Sequence, residues 1–508
     1  MQKIKLFFIF FISFQISVSH AVEFKNNKLH IKFDTQNAKV LNWKILNESM
    51  SEPHELIKNN KSSFGIEGSI NGQDLSYWTQ KAGGWSVDQN LSQITFELKS
   101  ENLPFDLRKF WKFNQNSYEI DLTYELVPKK KLNDIKLYLK LGPGIGEKAI
   151  KGLGISEKSY SFTELIYKTN DIKTKRLDNK DEVFLLKKEN NLQWIGLHSR
   201  YFLFLLRVNE SLSNIKLSIN EFDNKRNISL DSSLKIDLLF SDLTKNENYK
   251  IPLKLFTGTK TQSDLSSAGL EEILFQSSWN WMRYIILGIM SVLYWINNFV
   301  SNWGISIILL SILVRVVIHP IAKKSLKSQK EFSKIQEIIQ PQIREIKKNF
   351  KGGEQSERIL NVYEKYNTSP LASLKPLIGL AIQIPIFIAL FHLLGQTFEL
   401  KEASFLWIQS LAEPDKFLSL GKEIPFFGNY FNLLPFLMSI TNLLSIKLNS
   451  TNSGENKADV KQNIILGIMT IGFFLLFYSF PSGMVLYWTM ANILHLVYSL
   501  FSLKVMKV

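Results

Sequence analysis

The chain divides into two halves of different patterning. Between residues 22 and 270 apolar and polar side chains alternate, whereas between 279 and 503 long apolar segments dominate. A bilayer needs about 20 consecutive apolar residues per helix and leaves no lipid-exposed backbone group unbonded. The second half is therefore restricted to helices, and the first must fold outside the lipid.

In the first half the alternation has period two. It recurs at Leu29/Ile31/Phe33, Ile94/Phe96/Leu98, Tyr118/Ile120/Leu122/Tyr124/Leu126, Ile135/Leu137/Leu139/Leu141, Ile215/Leu217/Ile219 and Leu234/Ile236/Leu238. Polar residues between apolar ones mark half-buried antiparallel strands, and so many strands with little helical pattern predict a large all-β sandwich over 22–268. Residues 1–21 read as a signal peptide or N-terminal membrane anchor. Lys3 and Lys5 precede an apolar run over 6–18, and Ser19-His20-Ala21 offers small residues where a signal peptidase cuts. Either reading delivers the sandwich to the export side.

The second half predicts five transmembrane helices, at about 303–320, 376–395, 431–447, 463–480 and 483–502, the last two divided by Pro481-Ser482-Gly483. A sixth apolar segment, 279–300, is excluded by parity. If it crossed, loop 321–371 would lie outside, and that loop carries eleven Lys and Arg against six Glu, a net of +5. Basic loops stay in the cytoplasm. Segment 269–302 is thus expected as an amphipathic helix along the outer interface, with Trp279, Trp281, Tyr284, Tyr294, Trp295 and Trp303 as its aromatic belt. The loop reads as a cytoplasmic helical hairpin, helical over 323–350 and 354–367 and bent at Lys351-Gly352-Gly353-Glu354. Lys323, Lys324, Lys327 and Lys330 stand at its start, ready for anionic lipid or an acidic chain segment.

Arg315 lies deep in the first of these spans. A charge near a helix centre costs about 2.5–3.5 kcal/mol. Lys323, the first lysine beyond the run, is about 12 Å further along the helix, so snorkelling is a poor explanation. Ser311 sits one turn before it, and Gln383, Ser439, Thr441, Asn442, Thr470 and Asn492 occupy other spans. Singly these are helix–helix contacts; with Arg315 they suggest a polar cavity within the membrane.

Enzyme signals are missing. No Walker lysine loop, HExxH or nucleophile elbow occurs, and the chain has no cysteine, so no thiolate metal site or disulfide framework exists. Gly144-Ile145-Gly146-Glu147-Lys148-Ala149 matches a dinucleotide fingerprint but lacks the helix that should follow. Neither catalytic residues, cofactor nor metal is expected.

Certain motifs in the membrane half are specific. Asn302-Trp303-Gly304 opens the Arg-bearing span, which closes on His319-Pro320; then come the basic hairpin, Tyr366-Asn367-Thr368-Ser369-Pro370, Gln383-Ile384-Pro385-Ile386-Phe387, Phe398-Glu399-Leu400 and Phe480-Pro481-Ser482-Gly483 with Tyr487-Trp488. In this order they resemble the Oxa/Alb/YidC family of membrane protein insertases. The large export-side sandwich is similar to that of the Gram-negative form, echoed by Trp194-Ile195-Gly196, Tyr201-Phe202 and the stretch 255–260. The resemblance implies an inner-membrane insertase and chaperone that consumes no nucleotide. It implies a hydrophilic groove, closed toward the periplasm, that takes the polar end of a nascent membrane protein. Arg315 and Ser311 would line the groove. Gln383 lies on the same helix as Ile384 and Phe387, which with Leu476 and Trp488 would contact the client. The implied partners are nascent membrane proteins, the Sec translocon, membrane lipids and, weakly, the ribosome, since only seven residues follow Phe501. Stretch 371–375, Leu-Ala-Ser-Leu-Lys, departs from the family's glycines. The alternative is a membrane-anchored carbohydrate-binding or transport protein, because the sandwich also resembles those of sugar enzymes. It lacks a convergent carboxylate pair, and the spans show no inverted repeat.

Overall fold

The computed structural model describes residues 21–506 apart from 48–49, 51, 58–63, 142–162, 177–183, 187–191, 208–211, 224–227, 239–247, 367, 370–377, 425–426 and 451–456. The N-terminal signal or anchor, the Gly144–Ala149 match and stretch 371–375 lie outside the described residues.

Each alternating segment is a strand. Three antiparallel sheets form in this half, and a two-stranded one pairs Leu418–Ile424 with Gly428–Phe431 further on. One has nine strands in the order Ile172–Arg176, Glu164–Lys168, Trp194–His198, Phe202–Arg207, Tyr249–Thr259, Glu119–Pro128, Phe105–Phe113, Gln93–Leu98 and Ser86–Gln89. A six-stranded sheet runs Phe184–Leu186, Leu212–Asp223, Ile228–Leu238, Lys136–Leu141, Gly65–Ile70, Gln73–Asp74. A four-stranded sheet joins Ala21–Lys25, Leu29–Asp34, Lys39–Ile45 and His54–Ile57. Period two sends one set of side chains inward. Phe33 of the small sheet meets Phe96 and Trp111 of the large one, at ring separations of 5.6 and 5.1 Å. Lys109 is buried in this core. Its amine donates to the carbonyls of Ala38 (2.9 Å) and Phe64 (2.6 Å) and lies over Trp111, so the charge has partners although burial pulls its pKa well down.

Two short helices, α1 (Leu75–Ala82) and α2 (Gln262–Ser267), belong to this region. Helix α3 (Asn280–Val300) follows. Arg283 anchors its first turn by donating to the carbonyls of Leu274 (2.8 Å) and Glu272 (2.9 Å). One face, Met282, Ile286, Met290, Leu293 and Ile296, is buried; the opposite face exposes Trp281, Tyr284, Trp295 and Phe299. The next helix starts within three residues. Ser301 takes a left-handed conformation (φ 52°), and Asn302 caps the next helix by accepting from the Ile305 amide at 3.0 Å.

Helix α4 (Trp303–Asn349) runs 47 residues without a break, roughly 70 Å, and α5 (Gly352–Lys365) folds back along its far end. Ile339, Ile343 and Tyr363 form a small separate core there. The expected hairpin is therefore the distal half of α4 plus α5. Pro320 closes the first apolar span but not the helix, and sits inside α4. A proline removes one backbone hydrogen bond, and the carbonyl it frees belongs to exposed Val316. Helices α6 (Ile378–Gln396), α7 (Leu433–Ser450), α8 (Lys457–Phe477) and α9 (Ser482–Met506) occupy the positions of the other four expected spans, with ends shifted by a few residues. By length and composition, two helices among the described residues suffice to cross a membrane, Asn280–Val300 and Trp303–Pro320; Gln383–Gln396, Leu433–Lys447 and Leu466–Phe477 are shorter apolar stretches. The molecule is thus a β-sandwich region followed by a helical region.

Candidate functional site

Arg315 is half-buried on α4 and, among the described residues, has no carboxylate paired with it. Tyr487 and His495 of α9 lie within its electrostatic reach. The next residue along, Trp488, belongs to an aromatic cluster. Its ring is 5.5 Å from Phe387 of α6, 5.5 Å from Phe477 and 6.3 Å from Phe473 of α8. Leu476 packs against the same core. Of the residues singled out in the sequence, Phe387 and Trp488 meet directly; Arg315 is within electrostatic reach of Tyr487, the neighbour of Trp488 in the chain. Gln383 is half-buried one turn before Phe387, and Ile384 is exposed.

Other candidates take plainer places. Ser311 is fully buried and donates to the Ile308 carbonyl of its own helix at 2.7 Å. Asn442 donates to Thr470 Oγ1 (2.9 Å), which ties α7 to α8, and Asn492 donates to the Met438 carbonyl (3.3 Å), which ties α9 to α7. Ser439 and Thr441 bond back to their own helix. Lys323, Lys324, Lys327 and Lys330 lie on the continuous backbone of α4, their side chains outside the described residues.

One end of the helical region is knitted together by loop 397–416. Phe405 lies against Gly304 at the start of α4, where a Cβ would sit 2.1 Å from the Phe405 ring. Asp415 Oδ2 accepts from the amides of Leu433 (2.8 Å) and Leu434 (3.0 Å) and from the Trp407 indole (3.2 Å), so it caps α7. Burial pushes the pKa of Asp415 up against the pull of these donors. The carbonyls of Glu413 and Leu411 receive the amides of Ser482 (2.7 Å) and Gly483 (2.8 Å), which caps α9. Asn432 donates to the Tyr478 carbonyl at 2.8 Å, joining the ends of α7 and α8. Helix α3 closes the same end, with Tyr294 edge-to-face against Trp303 at 5.2 Å and Ser306 donating to Asn297 at 3.2 Å. A small cavity there is lined by Lys260, Met290, Tyr294, Gln396, Thr397 and Glu399.

Sequence reasoning missed Arg200, Asp415 and the Gly304–Phe405 contact. The local signal for Asp415 is weak: an acid eighteen residues before a helix does not read as its cap. Two results are expected here. Gly304→Ala should destabilise the chain by about 1–3 kcal/mol in denaturant unfolding, through overpacking. Phe405→Ala in the same background should recover part of that loss.

Glu399 gives the second. Burial raises its pKa above the ordinary 4.5, with nearby Tyr294 pulling the other way. A raised folded pKa means that the folded state holds the proton more tightly. Stability is then fullest below the unfolded value and falls as pH rises through the window above it. Glu399→Gln should flatten that fall, melting at or above the parent at pH 7 and level with it at pH 4. A lower melting point for the variant at pH 7 would reverse the assignment.

Comparisons with known proteins point one way. A family profile described as the YidC periplasmic domain matches residues 21–291, and one described as 60Kd inner membrane protein matches 295–507. A membrane protein insertase YidC from Syntrophobacter fumaroxidans is 32% identical over 255 residues, covering 50% of this chain and 43% of the relative. Its counterpart from Methylobacillus flagellatus is 28% identical over 398 residues, covering 77% and 64%. The chain thus spans less than two thirds of the length of these curated relatives. A crystal structure titled as an active YidC insertase with its first transmembrane domain resolved covers 94% of this chain and 92% of its own, at 15% identity and a TM-score of 0.36, too low to establish a shared arrangement.

Proposed function

The chain belongs to the YidC family, whose profiles describe an inner membrane protein with a periplasmic domain, and on that premise we propose that it is a membrane protein insertase and chaperone. Five helices cross the membrane: the first part of α4, then α6, α7, α8 and α9. The β region and loop 397–416 lie on the periplasmic side, the α4–α5 hairpin is cytoplasmic, and α3 lies along the outer interface. The buried stripe and exposed aromatic face of α3 support that last placement.

The reading is carried by one observation: a half-buried cation that, among the described residues, has no carboxylate partner, on a helix packed against α9, whose Trp488 joins an aromatic cluster drawn from three helices. Arg315 offers a client's acidic end a counter-charge where the dielectric is low. The client's apolar segment slides past Ile384, Phe387, Leu476 and Trp488 into lipid. Ser311 and Gln383 flank this path. Ser311 keeps its hydroxyl on its own helix, so its part is to let neighbouring helices approach. No catalytic residue, cofactor, metal or nucleotide takes part. Nascent membrane proteins are the clients; the Sec translocon is a partner for larger ones, and Lys323, Lys324, Lys327 and Lys330 present a basic mouth to lipid and, weakly, to the ribosome.

A photo-crosslinker at Phe387 or Trp488, challenged with ribosome-bound nascent chains, tests the path. Crosslinks to the client's apolar segment are expected. Crosslinks only from the exposed face of α7, at Ile440 or Leu444, would put the path elsewhere. Topology is checked separately in this cysteine-free chain: Ser328→Cys should react with a charged maleimide from the cytoplasm only.

A further inference from the structure

Arg200 is almost fully buried, at 2% exposure, on the tight turn between strands Trp194–His198 and Phe202–Arg207. Its guanidinium leaves the β region. Nε donates to the carbonyl of Gly395 at 2.5 Å and Nη2 to that of Ala412 at 2.8 Å. Gly395 is in the last turn of α6, where carbonyls lack intrahelical partners and the helix dipole favours a cation. The β region thus caps a helix of the other half. Around this contact Tyr201 and Phe202 each pack on Phe398 at 6.0 Å, and Lys401 lies over both rings at 5.3 Å.

The Ala412 bond has further reach. Its carbonyl is gripped by Arg200, while the carbonyls on either side, Leu411 and Glu413, hold the first two amides of α9. One turn along α9 stand Tyr487, within electrostatic reach of Arg315, and Trp488 of the aromatic cluster. We propose that Arg200 is a positioning residue through which the β region sets loop 397–416, and with it the start of α9. Hydrogen bonds from a planar guanidinium fix two separate backbone segments at once, which an apolar plug of equal volume cannot do. Calling this end the outer seal of an insertion groove rests on the proposed function; the coupling itself does not.

The test uses the full chain in lipid nanodiscs, without client, read by amide hydrogen exchange. Arg200→Met keeps an unbranched stem and removes the donors. Exchange in 409–416 and at Ser482 and Gly483 should quicken by at least about tenfold, which corresponds to about 1.4 kcal/mol. Arg200→Lys, which restores one donor, should fall between Met and wild type. The α4–α5 hairpin should keep its rates in both. Faster exchange confined to 195–204, with Ser482 and Gly483 at wild-type rates, would overturn the proposal. If Arg200→Met does not fold, the Lys variant decides on the same amides: partial quickening supports the coupling, and wild-type rates reject it. No client is present, so failure of the insertase reading would appear in the crosslinking and leave this result standing.

Discussion

Replacing Arg315 by Ala is expected to cut insertion of clients with acidic translocated tails by at least about tenfold, while Arg315→Lys keeps most of it. Two opposite charges about 4 Å apart attract by about 4 kcal/mol at an effective dielectric of 20, so even partial engagement of one carboxylate exceeds that factor. Carrying an acid to the middle of a bilayer without a partner costs about 2.5–3.5 kcal/mol. Clients with neutral tails have no such need and should be inserted by the Ala variant at close to the normal rate. Proteoliposomes that hold purified variants, given matched clients differing only in tail acids, measure this directly. Equal loss for acidic and neutral tails would make Arg315 a packing residue. Lys serves because the claim concerns charge, not the fork geometry of a guanidinium.

The second large effect belongs to Asp415. Three donors converge on one of its oxygens, and the residue is 3% exposed. Asp415→Ala removes a helix cap worth about 0.5–2 kcal/mol. It also strands buried amides, at about 1–3 kcal/mol for an unsatisfied group. These overlap, so a total loss of about 2–4 kcal/mol is expected. Asp415→Asn keeps an acceptor oxygen and should lose less than half as much. Thermal unfolding in detergent, with crosslinking between the ends of α7 and α9 as a local probe, separates the two. Similar losses for Asn and Ala would show that the charge, rather than the acceptor, holds the α7 terminus.

Physical range explains what could be read beforehand. Strands such as Leu29–Asp34 and Gln93–Leu98 were legible because a sheet's inside and outside repeat every two residues, which is a local property. Phe387, Leu476 and Trp488 were marked through family resemblance, and the structure brings Phe387 and Trp488 to 5.5 Å. Ser311, marked the same way, has its hydroxyl turned back on its own helix. Arg200 could not be read, since its acceptors lie 195 and 212 residues away. Nothing in Ser199-Arg200-Tyr201 distinguishes a capping arginine from a surface one. Pro320 closes the apolar span, yet the helix runs on through it: one lost bond at an open turn did not outweigh the turns on either side.

The unbroken run of α4 also has a geometric meaning. From Arg315 to Asn349 the backbone is one continuous helix of about 50 Å, with Pro320 and Pro341 inside it. A continuous helix keeps phase. Adding a single residue near position 328 would turn everything beyond it by about 100° and advance it about 1.5 Å. The composition, charge and hydropathy of both ends would be untouched. The direction in which the hairpin faces is therefore geared to the direction in which Arg315 points, and an insertion keeps the two in phase only when it adds whole helical turns.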